Sequence, residues 1–239
     1  LFGDDAGALS GIIIPWLWPL AFLTLTMGAI GVLASPSLRL TAANLVIVSV
    51  GTLMLAIAMQ REAATSAALY YMLHTTLVTG ALFLIADLIT KQRGKAEDRY
   101  VNARTMSHAK IIGITFFIAA LTVVGLPPLS GFVGKILILQ AAEGVTEIAW
   151  VWSVVLFAGL ASLVAMSRAG TTLFWRSTGD NTDDVPISRL KLIAVGLLLS
   201  ASPLLVVFGS AVTDYTDLAA AQLHNRSAVI ETVLPGGDQ

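Results

Sequence analysis

Long apolar runs separated by short polar segments dominate this chain. About 20 consecutive apolar residues make one helical crossing of a bilayer. Runs of that kind fall at roughly 10–34, 40–59, 67–90, 148–167 and 192–212. A further stretch, 111–143, is apolar but interrupted by Pro127, Pro128 and Gly131. Each of its halves has about 13–16 residues, or roughly 20–24 Å of helix, so neither comfortably spans a ~30 Å hydrocarbon core. The pattern predicts an all-α, polytopic membrane helix bundle in which 1–239 form a single transmembrane domain. The mixed segment 213–239 reads as a surface tail.

Whether 111–143 crosses once or twice is tested by the loop charges, because basic residues collect in cytoplasmic loops. With one crossing, Arg39, the basic residues of 91–110 and those of 168–191 share one side, and only Arg61 and Arg226 lie on the other. With two crossings the bias largely vanishes. The polarised arrangement predicts six crossings, with 111–143 as one discontinuous helix and both ends of the segment outside. Trp16, Trp18, Tyr70, Tyr71, Trp150 and Trp152 then fall at outer ends, where amphipathic rings collect. Asp180 to Asp184 reads as a solvated turn, and the basic loop with His108 as solvated too.

Composition narrows the class. The 239 residues are 56% hydrophobic and 12% charged, against about 25% charged in soluble domains, and the mean hydropathy is +0.82. With a net charge of -1, nothing suggests nucleic-acid binding. With no cysteine, disulfides, thiolate clusters and cysteine catalysis are excluded. The start at Leu1 is polar, has no initiator Met and has no pattern of basic start and small-residue cleavage site; the expectation is part of a longer chain. No cofactor or metal constellation is seen.

Ionisable groups at membrane depth mark ion or proton passage by default, and three fall within the spans: His74, Asp87 and Lys135. Lys135 follows the helix-breaking run Gly125-Leu-Pro-Pro-Leu-Ser-Gly131. Backbone freed by Pro127, Pro128 and Gly131, beside Ser130, is tolerated only where protein or water satisfies it, and broken helices build ion sites in transporters. The plain alternative is a lysine that snorkels to the interface. His74 either passes protons or bonds a neighbouring carbonyl as a packing residue. Thr75 and Thr76 extend the polar character of its helix, and Tyr71, Thr75 and Thr79 share one face. For Asp87 the plain reading is a carboxylate paired with Lys91 one turn on. Asn44, Ser49 and Thr52 read as interhelical hydrogen-bond partners, and Arg168 as an interface anchor.

The run Tyr70-Tyr-Met-Leu-His-Thr-Thr-Leu-Val-Thr-Gly-Ala-Leu-Phe-Leu-Ile-Ala-Asp-Leu-Ile89, with Gly125-Leu-Pro-Pro-Leu-Ser-Gly-Phe-Val-Gly-Lys135, resembles the proton-translocating membrane family shared by Mrp-type multisubunit cation/proton antiporters and respiratory complex I. The segments Ser167 to Arg176 and Ala228 to Leu234 extend the resemblance over nearly the whole chain. It is strongest to the D subunit of the Mrp antiporters. Members have about fourteen crossings in two inverted repeats, each with a broken helix, so this chain would be the second half. The resemblance implies that Lys135 belongs to the central polar axis and that His74 links its members. It also implies a first half of the same subunit, other antiporter subunits, protons and a monovalent cation such as Na⁺ as partners, and a bacterial inner membrane. Some complex I relatives carry a lysine one turn after the histidine, where Val78 stands here. The alternative is a proton-pumping subunit of an NADH dehydrogenase or a membrane hydrogenase. On the main reading the chain is expected to be a secondary-transporter subunit and not an enzyme; on the alternative it is a subunit of an NADH:quinone oxidoreductase.

Overall fold

The computed structural model describes residues 13–176, 179 and 185–225. Leu1 to Gly7, the turn Asp180 to Asp184, Arg226 and the segment Ala228 to Leu234 therefore lie outside the described residues. The described residues form helices α1 (Ile14–Ala34), α2 (Leu38–Ala58), α3 (Glu62–Arg93), α4 (Ala109–Val124), α5 (Ser130–Ala141), α6 (Ile148–Gly170), α7 (Arg189–Val207) and α8 (Gly209–His224). A short 3₁₀ turn, Gly94–Ala96, follows α3, and a π turn, Thr171–Trp175, extends α6. No strand occurs among the described residues, where Ser37 and Arg99 form an isolated bridge. Five helices are long and apolar enough to cross a membrane, and α4 and α5 are shorter apolar pieces.

The helix α3 is the hub. It packs on α2, α4, α5, α7 and α8. At 32 residues it is about 48 Å long, extends past both ends of the expected 67–90, and exceeds the length a ~30 Å core requires. Glu62 in its first turn and Lys91 and Arg93 in its last suit the helix dipole. Because α3 begins at Glu62, Tyr70 and Tyr71 lie two turns in and are 0% and 3% exposed. That corrects their expected place in an interfacial belt. Trp16 and Trp150 remain exposed. The hairpin of α1 and α2 is tight: a Cβ on Gly51 would lie 2.6 Å from the backbone N of Leu25, the close approach that small residues permit in membranes.

Hydrogen bonds define the two ends of the bundle. At one end, Arg61 donates to the carbonyls of Ala141, Glu143 and Gly144, and Thr65 pairs with His224 at 2.9 Å. At the other, the segment after α3 docks on the start of α2. Asp98 Oδ2 accepts the Arg39 N–H at 2.6 Å and its carbonyl accepts the Leu38 N–H at 3.1 Å. Together with the Ser37 hydroxyl, which accepts the Leu40 N–H, these bonds satisfy donors a helix start leaves orphaned. The basic loop is thus not simply solvated. Arg93 is 3% exposed and donates to the carbonyls of Glu97, Arg99 and Val101 at 2.9, 2.7 and 2.6 Å. Tyr100 pairs with Thr41 at 2.6 Å, and burial pushes its phenol up to about 12. Arg168 lies over the Tyr100 ring and donates to the Ser35 carbonyl at 2.9 Å. It ties α6 to the end of α1.

The last apolar run ends at Val207, earlier than the expected 212, and the backbone turns at Phe208 into α8. Polar residues Ser210, Thr213, Asp214 and Thr216 end the apolar character there. The first part of the expected tail is therefore helical and rests on α3, where Thr216 and Ala220 are buried and the hydroxyls of Ser66 and Thr216 meet at 2.9 Å.

Candidate functional site: a broken helix beside a buried histidine

The stretch 111–143 is broken as its prolines predict. Helix α4 ends at Val124, Gly125 takes a left-handed φ of 82°, and the Pro127–Pro128 peptide bond is cis. The Gly125 N–H bonds the Leu121 and Thr122 carbonyls, and the Leu126 N–H returns to Leu121 at 3.1 Å. That pattern is a Schellman-type stop, which places glycine at the left-handed position. Helix α5 restarts at Ser130. The two pieces together run from the end bearing the 94–101 loop to the end where Arg61 holds residues 141–144.

Lys135 lies in the second turn of α5 and is half-buried. Helical side chains lean toward the N-terminus, and its Nζ reaches back across the break to donate to the Val124 carbonyl at 2.7 Å. The amine thereby sits at the C-terminus of α4, where orphan carbonyls and the helix dipole favour a cation. His74, in the middle of α3, is 2% exposed. Its Nδ1 lies 2.8 Å from Ser130 Oγ, and its ring is 5.8 Å from that of Tyr71.

Two glycines form the seam between these groups. A Cβ on Gly131 would lie 2.8 Å from His74 Nε2 and would collide with the Thr122 carbonyl. A Cβ on Gly125 would meet Lys135 Nζ at 3.2 Å and the Gly131 carbonyl at 3.1 Å. The missing Cβ of Gly131 leaves room for the imidazole, and that of Gly125 leaves room for the amine.

The other predicted residues separate into three groups. Pro127, Pro128, Ser130 and Gly131 all stand at the break. Thr75 is buried and donates to Ser49 Oγ at 2.6 Å, and Ser49 lies 3.4 Å from the Tyr71 hydroxyl, so α2 joins the polar face of α3. Thr76 points the other way: it is exposed and its hydroxyl donates to Met72 in its own helix. Asp87 is remote from the break. It pairs closely with Lys191 at the start of α7 and lies 3.9 Å from Lys91. Sequence reasoning missed Lys191 and Ser202. The hydroxyl of Ser202, on α7, lies 2.8 Å from Ser130 Oγ and accepts the Ser130 N–H at 3.2 Å. A serine directly before Pro203 inside an apolar span was the available signal.

A bundle of apolar helices with one broken across a lysine defines a polytopic membrane protein of the discontinuous-helix kind. The chain belongs to the transmembrane family described as NADH:quinone oxidoreductase/Mrp antiporter, whose model matches residues 5–164. It is 33% identical over 224 residues to a protein of Bacillus subtilis (strain 168) named as the D subunit of a Na(+)/H(+) antiporter, covering 91% of this chain and 44% of the relative. It is 31% identical over 223 residues to a protein of Rhizobium meliloti (strain 1021) named as a probable D subunit of a K(+)/H(+) antiporter, covering 82% of this chain and 41% of that protein. The chain thus spans less than half the length of these curated relatives. Its fold matches a chain in the Mrp complex from Dietzia sp. DQ12-45-1b with a TM-score of 0.75 at 20% identity, covering 92% of this chain and 50% of that one.

Proposed function

We propose that this chain is the second half of the D subunit of a multisubunit monovalent cation/proton antiporter, and that it carries protons along an axis through Lys135 and His74. The observation that carries the reading is the Lys135 amine turned back onto the Val124 carbonyl, on the far side of a two-glycine seam from His74. The names of the relatives from Bacillus subtilis and Rhizobium meliloti support the antiporter assignment. In this mechanism a proton on the amine makes a second positive charge on His74 costly, because like charges repel strongly away from bulk water. Loading one site therefore favours unloading the other, and protons step along the axis. The first half of the subunit and neighbouring subunits complete the path and couple it to the cation, with Na⁺ the favoured candidate. The protein sits in a bacterial inner membrane and crosses it six times here, with 111–143 passing once and both ends outside. The run of α4 and α5 from one end of the bundle to the other supports that single passage.

The test is cation-driven proton flux in inverted vesicles carrying the assembled complex. Lys135→Ala is expected to lower the flux by at least about a hundredfold, the scale at which loss of a proton-transferring group acts. Flux at the parental rate, with normal assembly, sinks the reading and leaves a scaffold. The second reading, a proton-pumping subunit of a complex I-type enzyme, is favoured by the shared family. Purification of the native complex separates the two: small antiporter subunits support the first, and iron–sulfur or flavin proteins the second.

A further inference from the structure

The proton axis proposed above uses Lys135 and His74 and leaves Ser202 unexplained. Hydroxyls in these apolar helices commonly return their proton to a carbonyl one turn back, as Thr52 does to Val48 and Ser162 to Ala158. Ser202 is 2% exposed and is bonded to Ser130 instead, twice: Oγ to Oγ at 2.8 Å, and as acceptor of the Ser130 N–H at 3.2 Å. Ser130, 0% exposed, in turn meets His74 Nδ1 at 2.8 Å. Three helices thus contribute one continuous chain: imidazole from α3, hydroxyl from the first residue of α5, hydroxyl from α7.

A hydroxyl has one proton to give and two lone pairs to accept with, so this chain can run in two directions, of which only the first places every proton. In the first, Ser202 donates to Ser130 and Ser130 donates to Nδ1. The neutral imidazole then carries its proton on Nε2, the nitrogen that faces the Gly131 seam on the Lys135 side. In the second, Nδ1–H donates to Ser130 and Ser130 turns its proton to Ser202, which leaves the buried Ser202 proton without an acceptor and is unfavourable. Both orders leave Ser130 fully paired. Without Ser202, the buried Ser130 N–H would lose its acceptor and the first order its outer donor, which is unfavourable. The titratable groups facing His74 are Lys135 from α5 and Tyr71 from its own helix, and neither touches Nδ1. Resting on the proton-axis reading, we infer that Ser130 and Ser202 are positioning residues that hold neutral His74 with its proton on Nε2, facing the Gly131 seam, and that α7 thereby orients the histidine of the proton axis.

The experiment measures initial rates of cation-driven proton flux in inverted vesicles carrying the full complex, normalised to assembled protein. Ser202→Ala is expected to lower the rate about five- to tenfold, the effect of one lost hydrogen bond in the chain that positions the ring. Ser202→Thr, which keeps the hydroxyl, restores the rate to within about twofold of the parent. In a His74→Ala background, Ser202→Ala has no further effect, because groups acting through one partner are not additive. Parental flux in Ser202→Ala, or an equal additional loss on top of His74→Ala, overturns the inference. Should Ser202→Ala assemble poorly, Ser130→Ala on the assembled fraction makes the same comparison. Flux that depends on His74 and ignores both serines defeats this inference alone. Flux indifferent to His74 itself defeats the proton-axis reading, and this inference with it.

Discussion

At the residue scale the site depends on atoms that are absent as much as on those present. Gly131 has no side chain because His74 and the Thr122 carbonyl occupy its place. Gly131→Ala must push the imidazole or part α4 from α5, and forced overpacking of this kind costs typically about 1–3 kcal/mol. Thermal unfolding of the detergent-solubilised protein should register that loss, and proton flux should fall with it. An unchanged melting point and full flux would mean that the two pieces are further apart than described. Lys135→Arg is a sharper probe of the amine. The guanidinium keeps its charge under all working conditions, so an axis needing a neutral state stops while the cationic contact with the α4 terminus can persist. Retained flux in Lys135→Arg would argue that the group acts only as a fixed charge.

At the element scale, ends matter more than middles. The apolar middles of α1, α6 and α7 are interchangeable in character and present large side chains such as Leu23, Leu160 and Leu197 outward. What distinguishes one helix from another is how it starts and stops. Helix α2 starts on an aspartate 59 residues away in sequence, α4 stops on a left-handed glycine and a lysine amine, and α5 starts on a serine from α7. Loss of a capping side chain costs about 0.5–2 kcal/mol. Asp98→Ala is therefore expected to loosen the 94–101 segment from α2. Limited proteolysis between α3 and α4 should quicken, while an equal cleavage rate would show that Arg93 and Tyr100 hold the segment unaided.

At the scale of the whole molecule, the prediction concerns sidedness. These 239 residues contain no cysteine, so a single introduced cysteine is unique within them. Lys95→Cys and Glu143→Cys, both at exposed positions, should react with an impermeant thiol reagent from opposite faces of the membrane in the full assembly. Glu143→Cys should be labelled from outside and Lys95→Cys only from the cytoplasm. Labelling of both from one face would mean that α4 and α5 form a re-entrant pair and not a single passage.

The pattern of apolar runs determined the helical class, the positions of five long helices within a few residues, and the break in 111–143. Each of these is a local consequence of bilayer thickness, of apolar length and of proline and glycine chemistry. The same local logic located Lys135 just past the break and His74 inside α3. Only the tertiary structure decided what these groups touch. The turn of Lys135 onto Val124, the hydroxyl chain from His74 to Ser202, the pairing of Asp87 with Lys191 and the burial of Tyr70, Tyr71, Arg93 and Asp98 all depend on how separate segments meet. In an apolar span a serine or tyrosine looks alike from sequence whether it faces lipid or a neighbour. Which of them meet is settled by how the helices rotate and pack, because packing alone brings distant polar atoms within hydrogen-bonding distance.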